Sequence, residues 1–129
     1  KPRLAKIIAV YRDAGLPVIH HSCGAIMPII GDLIEIGVNV LNPIQPKALN
    51  MKELAAAYGD RLSFFGGICN QSVLPFCTPE EVEANVAEVT SILGTNGRFI
   101  IAPSNGVGKD VPLENVEAYF RAAERCRHI

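Results

Sequence analysis

The feature that most constrains the fold is a regular alternation of helical and strand patterns along the chain. Apolar residues recur at helical spacing in five segments, which cover residues 3–14, 26–36, 50–58, 78–93 and 112–125. Short, mostly apolar runs lie between them, at residues 18–21, 38–41, 62–65 and 99–102. Strands of this kind are typical of parallel sheets that are buried on both faces. The order α(βα)4 therefore predicts an α/β protein with a parallel sheet.

Two architectures fit this order: an open doubly wound sheet, or part of a (β/α)8 barrel. No Gly-x-Gly-x-x-Gly motif follows the first strand, so the chain shows no dinucleotide-binding fingerprint. Polar and thiol side chains instead collect after the strands, at His21, Cys23, Asn42, Gln45, Cys69, Asn70, Gln71, Ser104 and Asn105. Both architectures place their binding sites at the carboxyl ends of the strands. We therefore expect the functional site among these residues.

Composition excludes several classes of function. The 129 residues carry 12 basic and 13 acidic side chains, and this balance disfavours a nucleic-acid or membrane-surface binder, which usually shows a basic excess. The apolar fraction of 49% argues against disorder, and no apolar run reaches the roughly 20 residues of a membrane span. Four cysteines in a regularly patterned, apolar chain favour free thiols and a cytoplasmic location over disulfides.

The sharpest local motif is His21-Ser22-Cys23-Gly24, which follows the first strand. Residues i and i+2 of an extended segment project to the same side, so His21 and Cys23 can point into the same space. His20 faces the other way and is expected to be a packed residue. An imidazole and a thiolate both suit zinc, so the motif is a candidate metal site. Such a short pair also occurs by chance, and its spacing alone leaves a structural interpretation open.

This motif is one of several segments that carry a resemblance to a known family. The other segments keep a consistent spacing and cover residues 34–46, 66–68, 74–76, 78–82, 101–105 and 111–116. Together they resemble the uroporphyrinogen decarboxylase superfamily, and most of all its branch of corrinoid- and cobalamin-dependent methyltransferases. The resemblance implies that residues 1–129 form a single partial domain, the C-terminal half of a (β/α)8 TIM barrel. The chain also opens within a helical pattern and without methionine, which agrees with that expectation.

The methyltransferase branch implies a zinc ion that binds the reacting thiol or activates the methyl donor. By this resemblance, His21 and Cys23 supply two zinc ligands. A cysteine after the last strand commonly supplies a third, but Asn105 holds that place here, which is a departure from the family pattern. Cys69, after the third strand, is a candidate substitute, and a carboxylate from another part of the barrel is a second candidate. The corrinoid is expected on a separate partner protein.

The uncharged polar residues at the strand ends are candidates for substrate binding. Gln45, Gln71 and Asn105, together with Asn42, are hydrogen-bonding side chains suited to line a pocket for a small methyl donor or acceptor. Capping of strand ends and formation of turns are the alternative interpretation, and it applies most directly to Asn42 and Gln45.

Two alternative functions remain open. The decarboxylases of the superfamily act on tetrapyrroles in porphyrin biosynthesis without metal or cofactor, and the resemblance places their histidine near the last strand at Asn105. Their catalytic aspartate comes from the N-terminal half of the barrel. The second alternative is a half-barrel without activity. Its open sheet edges and apolar inner face predict a partner, either a second copy of the chain in a homo-oligomer or an N-terminal half.

Overall fold

A computed structural model describes residues 1–128 and confirms the α/β fold class. Four parallel strands form one sheet in sequential order. The strands are β1 (Ile19–His21), β2 (Val40–Ile44), β3 (Ser63–Ile68) and β4 (Phe99–Pro103). The helices are α1 (Pro2–Asp13), α2 (Ile30–Glu35), α3 (Met51–Tyr58), α4 (Val73–Phe76), α5 (Pro79–Leu93) and α6 (Leu113–Arg125), and 3-10 turns cover Met27–Ile29 and Cys126–His128. Parallel strands in sequential order, joined through helices, are the arrangement of a (β/α)8 barrel, and this chain forms part of one.

Two strands extend further than the sequence pattern predicts. The pattern predicts the second strand over residues 38–41, but β2 continues to Ile44, and its register against β3 shifts within this segment. Pro43 has no N–H to donate to a neighbouring strand, so the ladder is interrupted there and pairing resumes where Ile44 meets Gly66. The third strand likewise runs through its two glycines to Ile68.

The helices begin and end close to their predicted bounds. Asn50 caps α3 by accepting two backbone N–H groups, and Thr78 and Glu81 form a reciprocal capping box at the start of α5. The segment predicted as one helix over 26–36 is a 3-10 turn followed by the shorter α2, and α4 was not predicted at all. No helix within residues 1–128 is long and apolar enough to span a membrane.

The core lies between the sheet and the helices. Buried side chains of β2 and β3, such as Leu41 and Phe64, cluster with the valines of α5. The opposite face of the sheet is partly open, because Ile19 of β1 is 55% exposed and Ile100 of β4 is 45% exposed. We expected the strands to be buried on both faces, but only the face that packs against the helices is buried. In a closed barrel the other face lines the interior, where side chains from all the strands pack together.

Candidate functional site

Parallel pairing brings the polar residues of the chain to one edge of the sheet. His21 ends β1 and pairs in register with Asn42 of β2. Cys69 directly follows β3, and Ser104 directly follows β4. The carboxyl ends of all four strands therefore supply one continuous rim, as the sequence pattern predicted.

His21 and Cys23 point toward each other at this rim. The Sγ atom of Cys23 lies 3.6 Å from Nε2 of His21, and both side chains are exposed. The intervening Ser22 continues the pairing with β2, since its backbone N–H donates to the carbonyl oxygen of Asn42 at 2.8 Å. The two donor atoms are thus held on one side of an extended segment, in agreement with the i, i+2 prediction. His20 projects to the other face, next to α1, and is half-buried.

Asn42 contacts the nitrogen of His21 that faces away from the thiol. Its Oδ1 lies 2.7 Å from Nδ1 of His21, and its Nδ2 donates to the carbonyl oxygen of Phe65 at 3.5 Å. An amide oxygen only accepts hydrogen bonds, so this contact is a hydrogen bond when Nδ1 carries the imidazole proton. Nε2 is then left with its lone pair, directed toward Cys23.

Gln45 holds the turn that follows the thiol. Its Oε1 accepts a hydrogen bond from the backbone N–H of Gly24 at 2.7 Å. Gly24 has a φ of +94°, a conformation that favours glycine, and the chain leaves the sheet there. The carbonyl oxygen of Gln45 is therefore engaged within the protein, and the substrate contact of this residue stays a prediction.

The donor atoms of His21 and Cys23 fit one tetrahedral zinc ion. Typical Zn–N and Zn–S lengths of about 2.05 and 2.3 Å at a tetrahedral angle place the two donors roughly 3.6 Å apart. The separation of Nε2 and Sγ in this chain is 3.6 Å. However, no three His, Cys, Asp or Glu side chains gather at one point in the described part of the chain. Cys69 is thus not brought together with His21 and Cys23 in a three-donor group.

Cys69 has a separate environment. The thiol is buried, with 5% of the residue exposed, and Ser72 Oγ donates to its Sγ at 3.0 Å. Burial acts to raise the pKa of Cys69, but the hydrogen bonds from the Ser72 hydroxyl and from the backbone N–H groups of residues 71–73 outweigh it. The pKa of this thiol therefore lies below its ordinary value.

Replacing Ser72 by alanine is expected to raise the pKa of Cys69. The substitution removes a donor that stabilises the thiolate, whereas the burial that opposes ionisation remains. Alkylation rates measured across pH, in a protein whose three other cysteines are changed to serine, give this pKa. Ser72→Thr keeps a hydroxyl and is the matched control. An unchanged pKa in Ser72→Ala would contradict the role assigned to this hydrogen bond.

Asn70 and Ser104 tie the ends of β3 and β4 together. The buried Ser104 donates from its backbone N–H to the carbonyl oxygen of Ile68 at 2.7 Å and from Oγ to Oδ1 of Asn70 at 3.2 Å. Nδ2 of Asn70 donates to the carbonyl oxygen of Gly106 at 3.1 Å. The sequence predicted that Asn70 and Ser104 lie among the residues of the site but predicted no function for either of them. They anchor the loop that follows β4.

Two of the predicted substrate-binding residues face solvent at the same rim. Gln71 is exposed just after β3. Asn105 is exposed after β4, and its Oδ1 accepts a hydrogen bond from the backbone N–H of Gly106 at 2.8 Å. Both side chains are thus exposed at the rim, and their contact with a substrate stays a prediction.

The parallel sheet, with its polar rim at the carboxyl ends of the strands, defines this chain as part of a (β/α)8-barrel protein. The family model for uroporphyrinogen decarboxylase (URO-D) matches residues 1–126, and the chain belongs to this family. Its fold is similar to that of a methyltransferase from Methanosarcina mazei, with a TM-score of 0.75 and 24% sequence identity. The match covers 96% of this chain and 34% of that one, so the chain spans about a third of its length. No curated protein matches the chain significantly.

Proposed function

We propose that this chain is part of a zinc-dependent methyltransferase that works with a corrinoid protein. The observation that supports this most directly is the separation of 3.6 Å between Nε2 of His21 and Sγ of Cys23. Both atoms are exposed at the rim of the sheet, and the imidazole proton is held on the far nitrogen by Asn42. The pair therefore has the donor atoms and the spacing of two zinc ligands, and the protonation of the imidazole on Nδ1 leaves Nε2 free to bind the metal.

Each residue of the rim has a distinct part in this proposal. His21 binds the metal through Nε2, and Cys23 binds it as the thiolate, which is the ligand form of a thiol. Zinc bound there would supply a Lewis acid that lowers the pKa of a substrate thiol or stabilises a leaving oxygen. Gln71 and Asn105 contact the small-molecule methyl donor or acceptor through their exposed side-chain amides.

The site needs at least one more metal ligand, since catalytic zinc sites have three protein ligands and an open position. We propose that this donor is a carboxylate or thiolate from another part of the barrel, brought in when the sheet is closed. The open inner face with Ile19 and Ile100 is where that part packs. A second copy of the chain is the alternative partner. We further propose a cytoplasmic location, in keeping with four free thiols.

Cobalt(II) titration of the whole chain under reducing conditions tests the proposal, because Co²⁺ occupies nitrogen and sulfur sites of zinc and has visible absorption. We expect one equivalent of Co²⁺ to bind with a sulfur-to-metal charge-transfer band, and Zn²⁺ to displace it. His21→Ala and Cys23→Ser should each weaken binding by more than about 100-fold, because the loss of even an outer-sphere partner costs about 10–100-fold.

The chain offers matched controls for both ligands. His20→Ala removes a histidine from the opposite face, and Cys77→Ser removes a half-buried thiol that bonds to the Ser72 carbonyl. Neither should change Co²⁺ affinity. Cys69→Ser tests the predicted substitute ligand, and we expect it to retain binding. If the chain and its His21→Ala variant bind Co²⁺ equally, the zinc-dependent function is wrong and metal-free decarboxylation of a tetrapyrrole becomes the better assignment.

A further inference from the structure

We infer that Asn42 and Gln45 are positioning residues for the His21–Cys23 pair. This inference rests on the proposed metal function of that pair. Asn42 contacts the imidazole, and Gln45 contacts the backbone directly after the thiol, so each amide acts on a different half of the motif. Sequence patterns had marked Gln45 as a contact to substrate and left Asn42 between pocket lining and strand capping. The contacts in the structure assign both side chains to the support of the metal-binding atoms.

The first step concerns the tautomer of His21. The contact of 2.7 Å between Nδ1 and Oδ1 of Asn42 is short, and the amide oxygen can only accept. Nδ2 of the same amide lies 3.5 Å from the Phe65 carbonyl oxygen, on the side of the amide away from the ring. The amide thus spans from β3 to β1 and selects the Nδ1–H form. Only this form presents a free lone pair on Nε2.

The second step concerns the direction of the Cys23 side chain. Gly24 turns the backbone through a φ of +94°, and a Cβ added at this position would meet nothing within 4 Å. The N–H of the peptide that follows Cys23 donates to Oε1 of Gln45 at 2.7 Å, and this bond restrains the orientation of the peptide. Because that peptide is joined directly to the Cα of Cys23, its orientation restrains the direction of the Cα–Cβ bond, from which the χ1 torsion then places Sγ.

The third step concerns charge. Metal-bound histidines commonly donate to a carboxylate, which raises the basicity of the ligand. Here the acceptor is a neutral amide, and no cluster of three His, Cys, Asp or Glu side chains occurs within residues 1–128. His21 and Cys23 together contribute only one negative charge, as the thiolate. The metal would keep more of its positive charge, and therefore more Lewis acidity, than with a carboxylate behind the imidazole.

Two variants of nearly the same size test whether the acceptor atom of Asn42, rather than its shape, selects the tautomer of His21. Asn42→Leu and Asn42→Asp both lose the donor to Phe65, but only the aspartate keeps an acceptor for Nδ1–H. In the metal-free chain, nitrogen-15 NMR should show His21 in the Nδ1–H form in the wild type and in Asn42→Asp. Asn42→Leu should shift the ring toward the Nε2–H form. An unchanged tautomer in Asn42→Leu overturns the role of Asn42.

The metal measurement tests the same variants. Asn42→Leu should weaken Co²⁺ binding by about 10–100-fold, whereas Asn42→Asp should bind at least as tightly as the wild type. Gln45→Met removes the acceptor for the Gly24 N–H and should weaken Co²⁺ binding by about 10–100-fold. Gln45→Glu keeps the acceptor and should bind Co²⁺ at least as tightly as the wild type. Asn96→Leu changes an exposed asparagine in the connection before β4 and should have no effect. Equal affinities across all of these variants would overturn the inference.

Failure of the inference and failure of the proposed function give different results. If the wild-type chain is folded by circular dichroism and binds no Co²⁺, the proposed metal function fails, and the tautomer of His21 in the metal-free chain still decides whether Asn42 orients the ring. If the wild type binds Co²⁺ and His21→Ala abolishes binding while Asn42→Leu and Gln45→Met do not weaken it, the function stands and the positioning role is rejected.

Discussion

Alanine in place of Gly66 is expected to destabilise the chain by about 3 kcal/mol or more, because strain and close contact add at this position. Gly66 has a φ of +127°, which a residue with a Cβ rarely adopts. A Cβ there would also lie 2.7 Å from the backbone nitrogen of Ile44 and 3.1 Å from its carbonyl oxygen. These are backbone atoms of the neighbouring strand, so they cannot be relieved by a change of rotamer.

Gly31→Ala is the matched control for this substitution. Gly31 lies in α2, and a Cβ there would meet nothing within 4 Å. Alanine should be neutral or should stabilise this helix by about 0.5–1 kcal/mol, since glycine carries an entropic cost in helices. Urea unfolding followed by circular dichroism gives both free energies. If the two variants have equal stability, then β2 and β3 do not approach each other at Gly66 as the structure describes.

The same substitution should also affect the candidate metal site. Ile44, which meets Gly66, lies between Asn42 and Gln45 in the chain. A displacement of β2 at this point would move both amides away from His21 and Gly24. We therefore expect Gly66→Ala to weaken Co²⁺ binding even under conditions where the chain stays folded, whereas Gly31→Ala should leave it unchanged.

The order of the elements could be read from the sequence because it depends on local patterns. Helical periodicity, the Thr78–Glu81 capping box and the Asn50 cap are properties of neighbouring residues, and the structure contains all of them. The parallel arrangement followed from the short apolar strands between helices. The position of the site followed in turn, because parallel strands bring their carboxyl ends to one edge.

What could not be read from the sequence depends on contacts between distant residues. Asn115 lies in the segment predicted as the last helix, and the structure shows that it is 2% exposed and donates from Nδ2 to the carbonyl oxygens of Leu74 and Cys77, each at 2.8 Å. These bonds join α6 to the unpredicted α4, whose four residues are too few to show a periodic pattern. The support of His21 by Asn42 is likewise a contact across strands and has no local pattern.

Replacing Phe64 by alanine is expected to have the other large effect on stability. Phe64 is 1% exposed and lies in the core cluster between β3 and the helices. Its removal leaves a cavity in a packed region, and such Phe→Ala changes cost about 3–5 kcal/mol. The measurement is again the free energy of unfolding in urea, with Phe76→Ala as control. Phe76 is 81% exposed, so its removal should change stability by no more than about 0.5 kcal/mol.

The two phenylalanine variants delete the same atoms, so the difference between them measures packing on the helix side of the sheet. A large difference means that this side forms a core in the chain by itself, even though Ile19 and Ile100 leave the other face partly open. The rim that holds His21 and Cys23 would then be preformed before any partner closes the barrel. A difference near zero would mean that the sheet and helices do not pack without that partner, and metal binding by the chain alone should then be absent as well.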